Sequence, residues 1–313
     1  MATNIVSVSD GGGITVSDLV AKPKYVPTKL KELMENQFIS EALFRNAGSN
    51  KSSVVQFTEG DPTFLDSDID EVAEFGEIPV GHSQRGIPRV AFATKKAKGV
   101  RISKEMIDEN DIDAVQKQMT GLKNTFIRAN DRSAKAILQS AAVPTVPVST
   151  AWDAANSKPR TDIATAIDVI SSAAPTEAQG GSEDEYFGFE PDTLVVHPGL
   201  LAVLMDNDDI LKIYNGNIAD KSIAYVGALP GTLYGLNIIQ SRTFPRDRAL
   251  VLERGTVGFY SDSRPLQFTS LYPEGGGPNG GPNETWRSDA SIKRAIGLDQ
   301  PKAALWLTGL VTP

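Results

Sequence analysis

The sequence predicts an α+β fold that combines an extended two-stranded arm, one long helix and a series of shorter helices and strands. Three observations lead to this prediction. Residues 59–101 form two limbs of opposite charge, apolar residues between 112 and 137 recur with the spacing of one helix face, and later apolar runs alternate between helical and strand periodicity. A chain of 313 residues is long enough for two domains, or for one domain with an extension.

The predicted long helix begins at Ile112, has Asp111 as its N-cap, and ends before Pro144. Its apolar positions follow at steps of three or four residues, so they share one face of a helix of about 28 residues. Gly121 lies inside this helix and costs about 1 kcal/mol relative to alanine, which packing must offset. The predicted face consists of Val115, Met119, Leu122, Phe126, Ala129, Ser133 and Ile137, of which only Ser133 is polar.

The two charged limbs predict a long hairpin arm from about Thr58 to Ala97. Eight carboxylates and no cation lie within residues 59–77, six cations and no acid lie within residues 85–101, and a turn-like segment separates them. An isolated hairpin is marginally stable in water, so we expect the arm to lie on another copy of the same chain. Each exposed ion pair stabilises a contact only weakly, but the contributions add up over the many contacts of a closed assembly. They also favour the correct register between neighbouring subunits. The expected contact residues are Glu59, Asp66, Asp68, Asp70, Glu71, Glu74, Glu77, Arg85, Arg89, Lys95, Lys96, Lys98 and Arg101.

Shorter elements flank the arm and the long helix. Residues 1–25 are predicted to form a flexible or extended arm, followed by short helices at 27–34 and 39–44 and a strand at 53–57. Glycine, proline and Arg/Asp turns separate the later elements. The later predicted helices cover 163–170 and 198–204, the strands cover 193–196, 236–240, 249–252, 255–260, 266–271, 290–297 and 303–307, and glycine-rich loops cover 179–185 and 275–281.

Composition argues against several classes of protein. A net charge of −8 disfavours a general nucleic-acid-wrapping surface, but it does not exclude a container whose inner wall should avoid binding a charged cargo tightly. The absence of cysteine excludes disulfides and cysteine-based zinc sites. The N-terminal segment is polar, and no apolar run approaches the roughly 18 residues of a membrane span, so we expect neither a secretory signal nor a membrane helix.

Signals for catalysis and metal binding are weak. His82 and His197 accompany neither a Gly-x-Ser-x-Gly elbow nor a His-Glu-x-x-His helix, so we interpret them as a turn residue and a helix-entry residue. The acids between 66 and 77 have the spacing of a calcium-binding loop, but Glu71 occupies the position that requires glycine. We therefore expect no enzymatic activity, no cofactor and no bound metal.

The order of these features resembles the major capsid proteins of tailed double-stranded DNA bacteriophages, which have the Hong Kong 97-type capsid fold. Val80 to Ile102, followed by Ser103-Lys104-Glu105-Met106-Ile107-Asp108, resembles the return of the family's hairpin into its spine helix. Leu233 to Ile239, Arg242 to Pro245 and Ala249 to Tyr260 resemble the late block of the axial domain. Arg287 to Leu310, with Pro301-Lys302-Ala303-Ala304, resembles the closing strand and C-terminal segment. The resemblance implies an N-terminal arm, an extended β-hairpin loop, a long spine helix, and peripheral and axial domains.

This resemblance implies a division of the chain into five segments. Residues 1–57 would be the N-terminal arm and docking helices, 58–98 the extended hairpin loop, 99–143 the spine helix and peripheral domain, 144–262 the axial domain, and 263–313 the C-terminal return into the peripheral domain. The implied function is self-assembly, in the bacterial host cytoplasm, into hexamers and pentamers of an icosahedral virion capsid. That shell would enclose double-stranded DNA without sequence-specific binding or membrane contact, with separate scaffolding, portal and decoration proteins as possible partners.

Two alternatives stay open. An encapsulin-type bacterial compartment would have the same fold around a cargo enzyme, whereas a calcium-binding or polysaccharide-hydrolysing module would belong to another class. Some relatives of the resembled family join subunits by Lys–Asn crosslinks. Lys95, Lys96 and Lys98 lie in the predicted arm, and Asn279 and Asn283 in a glycine-rich loop, but no motif matches, so no crosslink is predicted.

Overall fold

The described part of the chain comprises a two-stranded hairpin and two mixed sheets, with helices packed against them. The computed structural model describes residues 16–34, 37–83, 85–176, 185–207, 210, 232–277 and 280–312. The helices are α1 Val16–Ala21, α2 Tyr25–Met34, α3 Ile39–Leu43, α4 Lys104–Asp108, α5 Ile112–Leu138, α6 Pro159–Ser171 and α7 Pro198–Asp206. The strands are β1 Arg45–Ser49, β2 Val54–Glu59, β3 Ile87–Phe92, β4 Thr94–Ser103, β5 Thr145–Pro147, β6 Thr193–Val196, β7 Thr232–Leu233, β8 Leu236–Gln240, β9 Arg248–Leu252, β10 Phe259–Phe268, β11 Tyr272–Pro273, β12 Thr285–Gly297 and β13 Ala304–Thr308.

Strand β12 is the centre of the first sheet. It pairs antiparallel with β10 and β11, and also with β4 in a register that runs from Thr285↔Ser103 to Arg294↔Thr94. Strand β1 pairs parallel with β10. Every second residue of β12 from Ser288 to Arg294 is buried, which is the pattern of a sheet with one face packed against a core.

The second sheet has the strand order β5-β13-β9-β6-β8-β7. All four residues of β6 are buried, as are most of β9 and β13, so these strands form the interior of the molecule. Helices α6 and α7 add Ile163, Ile170, Leu200 and Leu204 to the same core. The helices and strands predicted for this region from apolar periodicity are confirmed at 163–170, 198–204, 193–196, 236–240, 249–252 and 303–307.

Helix α5 confirms the predicted long helix and its cap, since the Asp111 side chain accepts a hydrogen bond from Ala114 N. The predicted apolar face is correct as far as Phe126. Beyond that point the buried residues are Asn130, Asp131, Ala134 and Leu138, whereas the predicted Ala129, Ser133 and Ile137 are only half-buried. From Leu122 onward buried residues recur every four positions. Because a helix has 3.6 residues per turn, each interval of four residues shifts the buried stripe by about 40° around the helix axis.

Because the buried stripe shifts around the helix, α5 contributes to two different hydrophobic cores of the described residues. The first half of the helix contributes Phe126 to a core with α1, α2, β4 and β12, and its last turns contribute Leu138 to the core of the second sheet. Trp306 Nε1 on β13 donates a hydrogen bond to the Leu138 carbonyl oxygen at 2.7 Å. Helix α5 therefore joins both cores and holds the two sheets in a fixed relation.

Two expectations for secondary structure are corrected. Residues 16–21 of the predicted extended arm form α1, because Val16 is fully buried and its amide donates to Asn110 Oδ1 at 2.9 Å. The separate strands predicted at 255–260 and 266–271 overlap one strand, β10, and residues 255–258 and 269–271 lie outside it. Strand β10 tolerates Pro265 because its pairing is irregular there. Most of the predicted 179–185 loop and part of the 275–281 loop lie outside the described residues.

Replacing Gly121 by alanine is expected to stabilise the folded subunit by about 0.5–1 kcal/mol. Gly121 is exposed in the middle of α5, and apart from the adjoining backbone of the helix no atom lies within 4 Å of the place where a Cβ would stand. The new methyl group meets no clash, while the unfolded chain loses conformational freedom. Urea unfolding followed by circular dichroism measures the effect. Ala136→Gly, at another exposed position of α5, is the matched reverse change, and a loss of stability in Gly121→Ala would contradict the expectation.

Candidate assembly interface

A short hairpin projects from the first sheet. Strands β2 and β3 pair antiparallel from Val54↔Phe92 to Glu59↔Ile87. Within it, Arg89 Nε donates to Glu59 Oε2 at 2.7 Å, so two of the predicted contact residues pair with each other across the hairpin. The predicted two-stranded arm is therefore present, but its regular pairing covers only six residues on each side.

The hairpin is firmly attached at its base. The ring of Phe57 packs edge-on against Phe259 of β10 with centroids 5.1 Å apart. Gly60 N donates to the Asp299 carbonyl oxygen at 2.7 Å, and a Cβ at Gly86 would overlap the backbone of the opposite limb. These contacts fix the direction in which the following loop leaves the sheet.

Beyond the hairpin, the two limbs of the loop come together again at residues 65–66 and 82–83, which form a stem. Leu65 and Ser83 form an isolated antiparallel bridge, Asp66 N donates to the His82 carbonyl oxygen at 3.0 Å, and His82 N donates to Asp66 Oδ1 at 2.8 Å. Thr63 Oγ1 also donates to the Tyr186 carbonyl oxygen at 2.9 Å. Asp66 is thus turned towards its own chain, and residues 67–81, hereafter the tip, extend beyond this stem.

The tip has no regular strand, and its side chains from 67 to 80 are exposed. It carries the predicted contact residues Asp68, Asp70, Glu71, Glu74 and Glu77. It also exposes Ile69, Phe75, Ile78 and Val80, whose exposed fractions are 96, 99, 77 and 80%. The tip therefore presents apolar surface as well as negative charge. The signal was present in the sequence as an apolar residue at about every third position within the acidic run.

Only the first part of the basic limb, which includes Arg89, returns along the acidic limb. Lys95, Lys96, Lys98 and Arg101 lie on β4, which pairs with β12 of the first sheet. The predicted position of the three lysines in the arm is therefore corrected. The strand leaves the hairpin after Phe92 because Ile102 packs in the core beneath α5. Of the predicted cations, only Arg85 and Arg89 belong to the arm, and Arg85 is exposed.

Two of the β4 cations already have partners in their own chain. Lys96 Nζ donates to the Ala129 carbonyl oxygen at 2.6 Å and contacts Ser133 Oγ. Burial is the main cause that lowers the pKa of Lys96, and repulsion from Arg294 is a smaller cause. Arg101 Nε lies 2.6 Å from Glu274 Oε2, and the hydrogen bond with Arg101 is the main cause that lowers the pKa of Glu274. Lys95 and Lys98 are exposed, so they are the β4 cations open to another molecule.

The alternative functional sites receive no support from geometry. His197 caps α7, its Nδ1 accepting a hydrogen bond from Gly199 N at 3.0 Å, which confirms its interpretation as a helix-entry residue. His82 is exposed and lies beside the stem of the tip. Across the described ranges, no three histidine or carboxylate side chains converge in a way that would hold a metal ion. None of the helices in those ranges is both long and apolar enough to cross a bilayer.

Comparisons with known proteins agree with one another. The model of a family described as phage capsid protein matches residues 88–307, well over half of the chain. A comparison with curated protein sequences found no match. Among solved structures, a phage-related protein from Bordetella bronchiseptica is similar over 93% of this chain and 98% of its own, with 14% identity and a TM-score of 0.57.

Two further structures have the same arrangement. The structure titled Mycobacterium phage Adephagia is 14% identical, and the match covers 88% of this chain and 91% of that one with a TM-score of 0.56. A virus-like particle from Pyrococcus furiosus is 11% identical over 91% of this chain and 98% of its own, also with a TM-score of 0.56. At such low identity these likenesses establish the fold, which is of the Hong Kong 97 type. With that fold and the family match over residues 88–307, the chain belongs to the phage capsid protein family and is a structural major capsid protein.

Proposed function

We propose that this chain assembles through the hairpin and its tip into a closed icosahedral shell of hexamers and pentamers around double-stranded DNA. The observation that carries the proposal is the combination of a firmly attached hairpin base with a tip whose side chains do not pack on their own subunit. Exposed apolar groups such as Ile69 and Phe75 are unfavourable in water and mark a surface that another molecule covers. In a self-assembling shell, the molecule that covers this surface is a neighbouring copy of the same chain.

The geometry also favours rings. A tip on one subunit and its receiving surface elsewhere on the next make a heterologous contact, which repeats around a ring when the rotation between neighbours closes. The proposed contact residues in the tip are Asp68, Asp70, Glu71, Glu74 and Glu77, joined by the exposed apolar residues among them. Arg85, Lys95 and Lys98 are exposed outside the tip and are proposed to contact neighbours as well.

The remaining parts of the proposal concern the setting of the shell. We place the mature protein in the virion capsid and its assembly in the bacterial host cytoplasm, with no catalytic role for the chain. Scaffolding and portal proteins would be separate partners. The net charge of −8 suits an inner wall that holds DNA without gripping it, since a cationic wall would bind phosphates tightly.

Expression of the full chain in a bacterial cytoplasm, followed by sedimentation and negative-stain electron microscopy, tests this function. We expect closed particles of uniform diameter, because every subunit carries the same tip and the same receiving surface. Co-expression with a candidate scaffolding protein and a range of salt concentrations covers conditions that resemble packaging. A chain that stays monomeric under all of them would contradict the proposal. Particles that enclose a specific enzyme in place of DNA would indicate an encapsulin-type compartment.

A further inference from the structure

A cavity of about 250 Å³ lies between the second half of α5 and the sheet formed by β4 and β12. Lys96 on β4 pairs with Ile292 on β12, and cross-strand partners point to the same side of a sheet, so both line the cavity together with Arg294. Phe92 and Thr94 also line it, and both are exposed. The cavity is therefore open to solvent at the end where the hairpin leaves the sheet.

The polar part of the lining surrounds the Lys96 ammonium. Its Nζ donates to the Ala129 carbonyl oxygen at 2.6 Å and contacts Ser133 Oγ. The buried Asn130 amide nitrogen has two N–H donors, and within the described residues it uses one, in a 3.4 Å bond to the Phe126 carbonyl oxygen. An ammonium, an amide N–H and a hydroxyl are groups from which a carboxylate accepts hydrogen bonds.

The charge of Lys96 has no counter-ion in the described part of the chain, where none of the ion pairs includes it. Arg294 is paired with Asp262 and Glu41, and it repels Lys96. Burial is the main cause that lowers the pKa of Lys96, so the charged form is disfavoured at this position. Charges withdrawn from water are normally paired, and an anion in the cavity would supply the pairing that Lys96 lacks.

Beyond these polar groups, the lining along α5 and β12 is apolar. Ile137 lies one helical turn after Ser133, and Ile296 lies two residues after Arg294 on β12. Both isoleucines are half-buried, so an occupant that covered them would remove apolar surface from water. The cavity has room for roughly eight non-hydrogen atoms, if each takes about the 30 Å³ of a water molecule.

We propose that this cavity binds a small organic carboxylate with an apolar tail of about five carbons. The carboxylate pairs with Lys96 and accepts a hydrogen bond from Asn130, and the tail lies against Ile137 and Ile296. An inorganic anion would pair with the ammonium but leave the apolar walls uncovered, and an alcohol would do the reverse. Because the site lies within one subunit, the inference goes beyond the proposed function and does not depend on assembly.

Isothermal titration calorimetry of the full chain with hexanoate tests the site. We expect about ten-fold weaker binding of acetate, which lacks the tail, and of hexanol, which lacks the charge. Lys96→Met keeps the length of the side chain but not its charge, and should weaken hexanoate binding about ten-fold or more. Lys95→Met is the matched control, because Lys95 is exposed and successive strand residues point to opposite faces. Its affinity should stay within about two-fold of that of the unaltered chain.

Labelling of the unaltered chain with a limiting amount of acetic anhydride, followed by mass spectrometry, locates the ligand without any variant. Hexanoate should protect Lys96, because a paired carboxylate holds the amine in its charged and unreactive form, and should leave Lys95 unaffected. Equal labelling of Lys96 with and without hexanoate would overturn the inference.

The calorimetry has contradicting outcomes of its own. These are the absence of hexanoate binding at low millimolar concentrations, unchanged affinity in Lys96→Met, and an equal loss of affinity in Lys95→Met. Acetate or sulfate that binds as tightly as hexanoate would also contradict the inference, since the cavity would then recognise charge alone. Circular dichroism establishes that both variants are folded.

Discussion

Replacing the tip by an Asn-Gly turn between Asp66 and His82 is expected to abolish closed shells and leave the subunit folded. The backbone bond from Asp66 N to the His82 carbonyl oxygen and the Leu65↔Ser83 bridge already place the two limbs side by side at this point. A two-residue Asn-Gly loop suits such a pair of antiparallel limbs. The deletion removes only residues 67–81, whose described side chains are exposed up to residue 80, so no core contact is lost.

The measurement compares the shortened and the full chain by electron microscopy for particles and by urea unfolding for stability. Stability should change by no more than about 1 kcal/mol, as for substitutions away from buried groups. A second variant with Ile69, Phe75, Ile78 and Val80 changed to serine retains all the tip carboxylates and separates the apolar contribution from the charge. Closed shells from the shortened chain at the normal yield would show that the tip is not required for assembly.

Replacing Arg294 by alanine is expected to destabilise the subunit by about 3–5 kcal/mol, as for removal of one partner from a buried ion pair. Arg294 lies on β12 and is buried. Its guanidinium donates to Asp262 at 2.7 and 2.9 Å and to Glu41 Oε1 at 2.8 Å, and it lies 4.3 Å from the ring centroid of Tyr260. Burial alone lowers the pKa of Arg294, but hydrogen bonds and attraction from the two carboxylates outweigh it, and the pKa stands above its ordinary value. Alanine would leave both acids without their cation.

Urea unfolding of the dispersed subunit measures this loss. Arg101→Ala is the matched control, because Arg101 also bonds a carboxylate but its side chain is 63% exposed, and its removal should cost less than about 1 kcal/mol. Arg294→Lys should lie between the two, since lysine keeps the charge but not the two-pronged geometry. A loss for Arg294→Ala no larger than that of the control would show that the buried cluster does not stabilise the fold.

Most local elements were predictable because they depend on short-range patterns. The cap at Asp111 is confirmed, and so is the long helix that follows it. The error on that helix is instructive: the sequence pattern favoured Ser133 on the buried face, whereas Asn130 is buried there. Which of two adjacent stripes is buried depends on the direction in which the helix crosses its neighbours, and the periodicity of the helix alone does not specify that direction.

The candidate interface was predictable only in part. The acidic run correctly indicated an exposed projection, but nothing in its pattern indicated that the apolar residues within it are exposed too, because large apolar side chains are more often buried. Arg101 and Glu274 come from segments more than a hundred positions apart, so no local pattern predicts that they pair. The tertiary fold brings them together.

The sequence by itself determined where most of the helices and strands form, because capping, apolar periodicity and proline act over a few residues. It also determined that residues 66–77 are acidic and contain no cation. Only the tertiary structure decided that β4 pairs with β12 and not with the acidic limb. Strand pairing is set by which residues a distant core can bury, and burial of Ile102 beneath α5 outweighs weak attraction between exposed charges.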